Sequence, residues 1–360
     1  MAPEIIRFLP NRYEYIHEKI EGSQADVYIC NDNNLERRVA IKAYIHGFDE
    51  QELRHEISVL CDGNSQHLAQ IYDLIVDDEN KPVAFVQEYI AGSCLSEFPQ
   101  QKRSEPEILN TLYQLASGIH DLHLLNIVHR DIKPSNARFD SNGILKIIDF
   151  GISYTPQQHG ETMCARGTTG YRAPELYMER PVAINNSFDV YSFGALAWYL
   201  ASGRLPAALE EIPPQSTIFL ESFSSLNLAI PDDISGAIDR CLSVNSIERP
   251  SIGEVRKILA NCILFGRHRA ELIADGKQYI LSDVGKGIRI KHGSDKELSV
   301  DYDGRRFYIS SIVGPIYINN SNAILNAELP NACVITLGKY EDGASRLFVS
   351  FSISHPEVVL

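Results

Sequence analysis

Apolar positions early in the chain fall in short runs at 27–30, 38–44 and 83–89, rich in Val, Ile, Phe and Tyr. Runs of that length and composition predict β-strands. Between the second and third, Leu53, Ile57 and Leu60 recur at helical spacing, which predicts one helix. The first part of the chain therefore reads as a small sheet with a single helix. Beyond Gly92 the period changes: Ile108, Leu112, Leu115, Ile119 and Leu122 lie on one helical face, and Ser251 with Glu254 after Pro250 has the form of a capping box. A larger, mainly helical lobe follows the small one.

Past Phe265 the texture changes again, to short strand-like segments at 288–290, 298–302, 306–310, 316–319, 334–337 and 347–353. Turn signals at Asp303-Gly304, Gly314-Pro315 and Asp342-Gly343 punctuate them, a pattern that predicts an all-β sandwich. Charge marks the same change. The chain holds 33 basic and 47 acidic residues, and the whole net charge of −14 resides before residue 265. Such a balance argues against a nucleic acid or an acidic membrane as partner. The seven cysteines form no C-x-x-C pair, which fits reduced thiols rather than a disulfide framework. The first residues lack a signal-peptide layout and no apolar run is long enough to span a bilayer, so the expected location is the cytoplasm.

The densest chemistry lies in His129-Arg130-Asp131-Ile132-Lys133-Pro134-Ser135-Asn136, followed by Asp149-Phe150-Gly151. Upstream, Val39-Ala40-Ile41-Lys42 sits in a predicted strand and Glu56 on the predicted helix; downstream stands Gly167-Thr168-Thr169-Gly170-Tyr171-Arg172-Ala173-Pro174-Glu175. In this order the set resembles the Hanks-type (eukaryotic-like) serine/threonine protein kinases of bacteria, over about residues 10–262. The resemblance implies an α+β, bilobal kinase fold over 1–264, with a β-rich N-lobe over about 10–90 and a helical C-lobe over about 91–264.

It further implies transfer of the γ-phosphate of Mg-ATP to protein Ser/Thr hydroxyls, with protein substrates as partners. Asp131 would accept the hydroxyl proton, Asn136 and Asp149 would hold Mg2+, and Lys133 would contact the γ-phosphate. Lys42 would set the nucleotide phosphates with Glu56 as its ion-pair partner, and Thr168 would hydrogen-bond Asp131 and Lys133. By the same resemblance Glu175 would pair with Arg249, and Asp189 would brace the catalytic-loop backbone.

The nucleotide pocket would be built from Ile20, Gly22, Ser23 and Ala25 of the phosphate-covering loop, then Val27, Ala40, Gln87 as gatekeeper, and the backbone of Glu88 and Ile90. Cys94 would stand at its rim. Val27, Ala40 and Leu60 are equally explained as core packing. That loop keeps only the middle glycine of its family pattern, and the pocket floor carries Arg138 where the family has an apolar residue. These two departures leave open a nucleotide-binding pseudokinase that acts as a scaffold through its β unit. Ser153, Thr155 and Thr162 lie in the activation segment, with Thr162 the candidate for autophosphorylation and Cys164 an ordinary thiol beside it. Residues 265–360 faintly resemble a forkhead-associated (FHA) β-sandwich lacking the residues that read phosphothreonine, which implies a docking module.

Overall fold

A computed structural model describes residues 4–21, 25–44, 50–62, 65–100, 103–150, 153, 161–162, 167–178, 181–214 and 220–354. The chain divides into two compact units, Met1–Leu259 and Ala260–Val359.

The first unit opens with strands β1 (Tyr13–Ile20), β2 (Ala25–Asp32) and β3 (Arg37–Tyr44), helix α1 (Glu50–Asp62), and strands β4 (Ile71–Val76) and β5 (Pro82–Glu88). The five strands form one antiparallel sheet in the order β1-β2-β3-β5-β4. Side chains alternate across a strand, so Val39, Ile41 and Ala43 of β3 enter a core with Tyr13, Tyr28, Cys30, Ile75, Ala84 and Val86. Ala40, Lys42 and Tyr44 consequently share the opposite face. The runs at 27–30, 38–44 and 83–89 became β2, β3 and β5, and Leu53 and Leu60 of α1 are buried.

The helical part contains α2 (Glu105–Leu124), the two-stranded ribbon β6 (Ala137–Phe139) and β7 (Leu145–Ile147), and a second ribbon of β8 (Glu161–Thr162) and β9 (Val182–Ala183). Helices α3 (Ser187–Ser202), α4 (Ala207–Glu210), α5 (Asp232–Cys241) and α6 (Ile252–Ile263) follow. Ser104 caps α2 in a reciprocal box with Glu107, and the helix buries all five apolar residues of its sequence pattern. Ser251 and Glu254 make the expected box at the start of α6. Twelve of the sixteen residues of α3 are buried, as expected of a helix that is apolar all round, and Gly203 ends it at φ +80°.

The second unit consists of β10 (Arg269–Ala274), β11 (Lys277–Leu281), β12 (Gly287–His292), β13 (Lys296–Tyr302), β14 (Phe307–Val313), β15 (Ile316–Ile318), β16 (Ser321–Asn322), β17 (Ala332–Leu337) and β18 (Leu347–Ser354). They make a six-stranded sheet, β11-β10-β18-β17-β15-β16, and a three-stranded sheet, β12-β13-β14. Residues of both sheets share one apolar core, including Leu272, Val349 and Ile335 from the first and Leu298, Val300 and Phe307 from the second. The hairpin of β10 and β11 turns at Asp275-Gly276, both at positive φ. Among the described residues no helix is long and apolar enough to cross a membrane, and Cys30, Cys61, Cys94, Cys241, Cys262 and Cys333 are free thiols.

Candidate active site

Lys42 projects from the middle of β3 and is 8% exposed. Its Nζ lies 2.6 Å from Glu56 Oε1 and 2.8 Å from Asp149 Oδ1. Burial acts to lower the ammonium's pKa, but Glu56 and Asp149 outweigh it and leave the group above its ordinary value. Glu56, on α1, is 1% exposed, and its burial pushes the carboxyl up against the pull of Lys42. The same Oε1 accepts the Phe150 backbone N–H at 3.1 Å, and Oε2 accepts the Tyr44 hydroxyl. Asp149 sits at φ +65°, a conformation that costs a non-glycine residue of order 1–3 kcal/mol and is held by its surroundings.

A second constellation gathers on the loop between α2 and β6. The Thr168 hydroxyl donates to Asp131 Oδ1 at 2.8 Å and accepts from Lys133 Nζ at 3.0 Å, while Lys133 Nζ is 2.6 Å from Asp131 Oδ2. Asn136 Nδ2 donates at 3.0 Å to both the backbone oxygen and Oδ2 of Asp131. The Asn136 side-chain oxygen accepts the Ser135 hydroxyl at 3.5 Å and, with two lone pairs, can take a further partner.

The loop backbone is held from below. Arg130 adopts φ +69°, and fully buried Asp189 accepts the N–H of His129 and of Arg130, each at 2.8 Å. His123 of α2 donates from Nε2 to the same carboxylate at 3.0 Å. Burial raises the Asp189 pKa, yet His123, the nearby His129 and the Arg130 N–H bring it below its ordinary value. His129 accepts the Asp131 N–H at Nδ1 and donates from Nε2 to Ile148 O, joining this loop to the segment that ends in Asp149.

Around the cleft, Ala25 and Ala40 are buried, Val27 is half-buried and pairs with Ile20, and Ile20 is 53% exposed. Gly22 and Ser23 lie outside the described residues. Gln87 pairs with Ala40 across β3 and β5. The Glu88 N–H donates to Gln70 O, its carboxylate meets Lys146 of β7 at 3.0 Å, and Ile90 is buried. Cys94 is buried, bridges Arg138 along the backbone and donates from Sγ to Pro134 O at 3.4 Å. Arg138 directs Nη2 to Gly92 O at 2.9 Å. Gly92 is required there: a Cβ would meet Phe139 O at 2.2 Å.

The activation-segment residues divide. Glu175 and Arg249 form a buried bidentate pair, both contacts 2.7 Å. Thr162 pairs with Val182 along the backbone of the β8–β9 ribbon. Ser153 is buried and its hydroxyl donates to Phe150 O at 2.7 Å, so in this conformation it is not presented for modification. Gly151, Thr155 and Cys164 lie outside the described residues. Sequence reasoning missed Tyr44, His123 and Lys146. Tyr44 alone left a signal, since two residues along a strand from Lys42 it must share its face.

A family model described as the protein kinase domain matches residues 14–259. The chain is 32% identical over 217 residues to the Corynebacterium efficiens protein named serine/threonine-protein kinases drp72, covering 54% of this chain and 41% of that protein. It is 32% identical over 207 residues to a probable serine/threonine-protein kinase of Clostridium acetobutylicum, with 55% and 31% covered. A third relative, PknA of Corynebacterium glutamicum, is 29% identical over 237 residues, with 59% and 50% covered. The matched region thus spans half or less of the length of these three relatives.

Proposed function

The chain belongs to the protein kinase family, and we propose that it is a serine/threonine protein kinase, transferring the γ-phosphate of ATP to protein hydroxyls and to its own activation segment. The observation that carries this reading is the triangle of Asp131, Lys133 and Thr168, which puts a carboxylate and an ammonium in fixed register. The Ser/Thr names of the bacterial relatives support the same substrate class.

Asp131 orients the incoming hydroxyl and takes its proton as the oxygen–phosphorus bond forms, and the β-phosphate oxygen leaves with ADP. Lys133 steadies the moving phosphoryl group, and Lys42, set by Glu56 and Asp149, steadies the phosphates that remain. Thr168 acts through Asp131 and is a positioning residue. Among the described residues no three His, Cys, Asp or Glu side chains converge as a dedicated metal cage. The oxygens of Asn136 and the half-exposed Asp149 instead fit Mg2+ arriving with nucleotide phosphates, a hard cation that needs few protein ligands. When bound, it would neutralise phosphate charge.

We read the second unit as an FHA-like β-sandwich that docks protein partners. Arg306, near where that family reads phosphothreonine, is tied to Asp303 at 3.2 Å, and phosphopeptide binding is no part of the proposal. A scaffold that binds nucleotide without transfer is the competing reading, supported by Arg138 at the pocket and by exposed Ile20. The test is incubation with Mg-ATP and a basic protein substrate beside Asp149→Asn, with phosphopeptide mapping. Phosphoserine or phosphothreonine in the wild type alone, with Thr162 among the sites, is expected. Nucleotide binding with no phosphopeptide in either sample would establish the scaffold reading.

A further inference from the structure

We propose that Tyr44 is a positioning residue that latches α1 to β3 through the second oxygen of Glu56, keeping the Lys42–Glu56 pair engaged before any nucleotide arrives. The argument starts from the period of a strand. Residues 42 and 44 of β3 lie on one face, so two donors from one strand converge on one carboxylate. Lys42 takes Oε1, together with the Phe150 N–H, and the Tyr44 hydroxyl takes Oε2. Both oxygens of a carboxylate 1% exposed are thereby committed. A buried carboxylate is costly unless its lone pairs are met by donors.

The phenol is itself held in place. Its ring lies 6.5 Å from the Phe85 ring of β5, and the Lys42 ammonium lies 5.7 Å from its centroid. Withdrawing α1 would therefore break two hydrogen bonds to β3 rather than one. The ion pair engages only one oxygen of the Glu56 carboxylate, whereas a donor from β3 on each oxygen fixes both its distance and its rotation. The latch is a property of the geometry; its effect on rate rests on the phosphotransfer proposed above.

The experiment uses the full chain and Tyr44→Phe, which keeps the ring against Phe85 and removes only the hydroxyl. Hydrogen exchange of α1 amides over 53–62, without nucleotide, should quicken about tenfold, the scale of one hydrogen bond to a charged group, and the folding constant from urea unfolding should fall by no more than about that factor. Tyr44→Leu should quicken it as much, since the hydroxyl carries the effect. In phosphotransfer, kcat should fall about tenfold with KM for ATP moved less than about twofold, because the pair acts most on the transition state. Exchange indistinguishable from wild type overturns the latch, active enzyme or not. Faster exchange in a chain whose wild type transfers no phosphate sustains the latch and removes the phosphotransfer reading. Faster exchange with unchanged kcat overturns the effect on rate.

Discussion

Thr168 holds Asp131 with its hydroxyl at 2.8 Å and is held in turn by Lys133 at 3.0 Å, so a segment thirty-seven residues downstream fixes the carboxylate proposed as the base. Thr168→Ala should therefore lower kcat by about 10–100-fold, the worth of one hydrogen bond to a charged group. Thr168→Ser keeps the hydroxyl and should retain most of the rate. Steady-state kinetics on both variants checks it; equal losses would place the methyl group, not the hydroxyl, in the role.

The Glu175–Arg249 pair is structural. The Arg249 side chain is fully buried and Glu175 nearly so, and removing one partner leaves a desolvated charge. Arg249→Met should cost about 3–5 kcal/mol in urea unfolding, and the double replacement Arg249→Met with Glu175→Leu should recover a large part of it.

Arg138 does not present its charge to the cleft without a partner, because Nη2 is fixed on Gly92 O. Its alkyl stem is the part available to cover a base. Arg138→Leu should consequently leave KM for ATP within about threefold, whereas Arg138→Ala should raise it more than that. A tenfold tightening in Arg138→Leu would show the cation to be a standing penalty on nucleotide binding.

Acid sensitivity should arise in the N-lobe sheet. Arg12 makes two hydrogen bonds to buried Asp32, at 2.8 and 2.7 Å, and holds its carboxyl down at about 2. A carboxyl depressed in the folded state stabilises it above the unfolded value of about 4 and loses that contribution as pH falls toward the folded value. Thermal unfolding from pH 5 down to pH 2 should therefore show a steeper loss of Tm in wild type than in Asp32→Asn, which starts lower. Parallel curves would contradict the assignment.

Periodicity made the frame legible. The apolar spacing along α2, the Ser251–Glu254 box and the β2, β3 and β5 runs each carry a local signal, and each is present in the structure. Strand β1 escaped because a register shift between Tyr15 and Glu18 breaks its alternation. Strand β11 escaped because it is a sheet edge with four of its five residues exposed, though Asp275-Gly276 before it was a usable turn signal. At the site, the motifs exposed the groups that carry chemistry but not those that hold them. His123 reaches Asp189 across 66 residues and Lys146 of β7 reaches Glu88 at the end of β5, contacts that no local spacing encodes. The burial of Ser153 was likewise hidden, since only the bond from its hydroxyl to Phe150 O shows that group to be taken.

The most direct test of phosphotransfer through Asp131 compares wild type with Asp131→Asn at saturating Mg-ATP, measuring γ-phosphate transfer to a protein substrate alongside nucleotide affinity. The account predicts equal nucleotide affinity and a transfer rate in Asp131→Asn lower by about 100-fold or more, the general-base contribution. Equal transfer rates in the two proteins, or transfer in neither despite tight nucleotide binding, would contradict it.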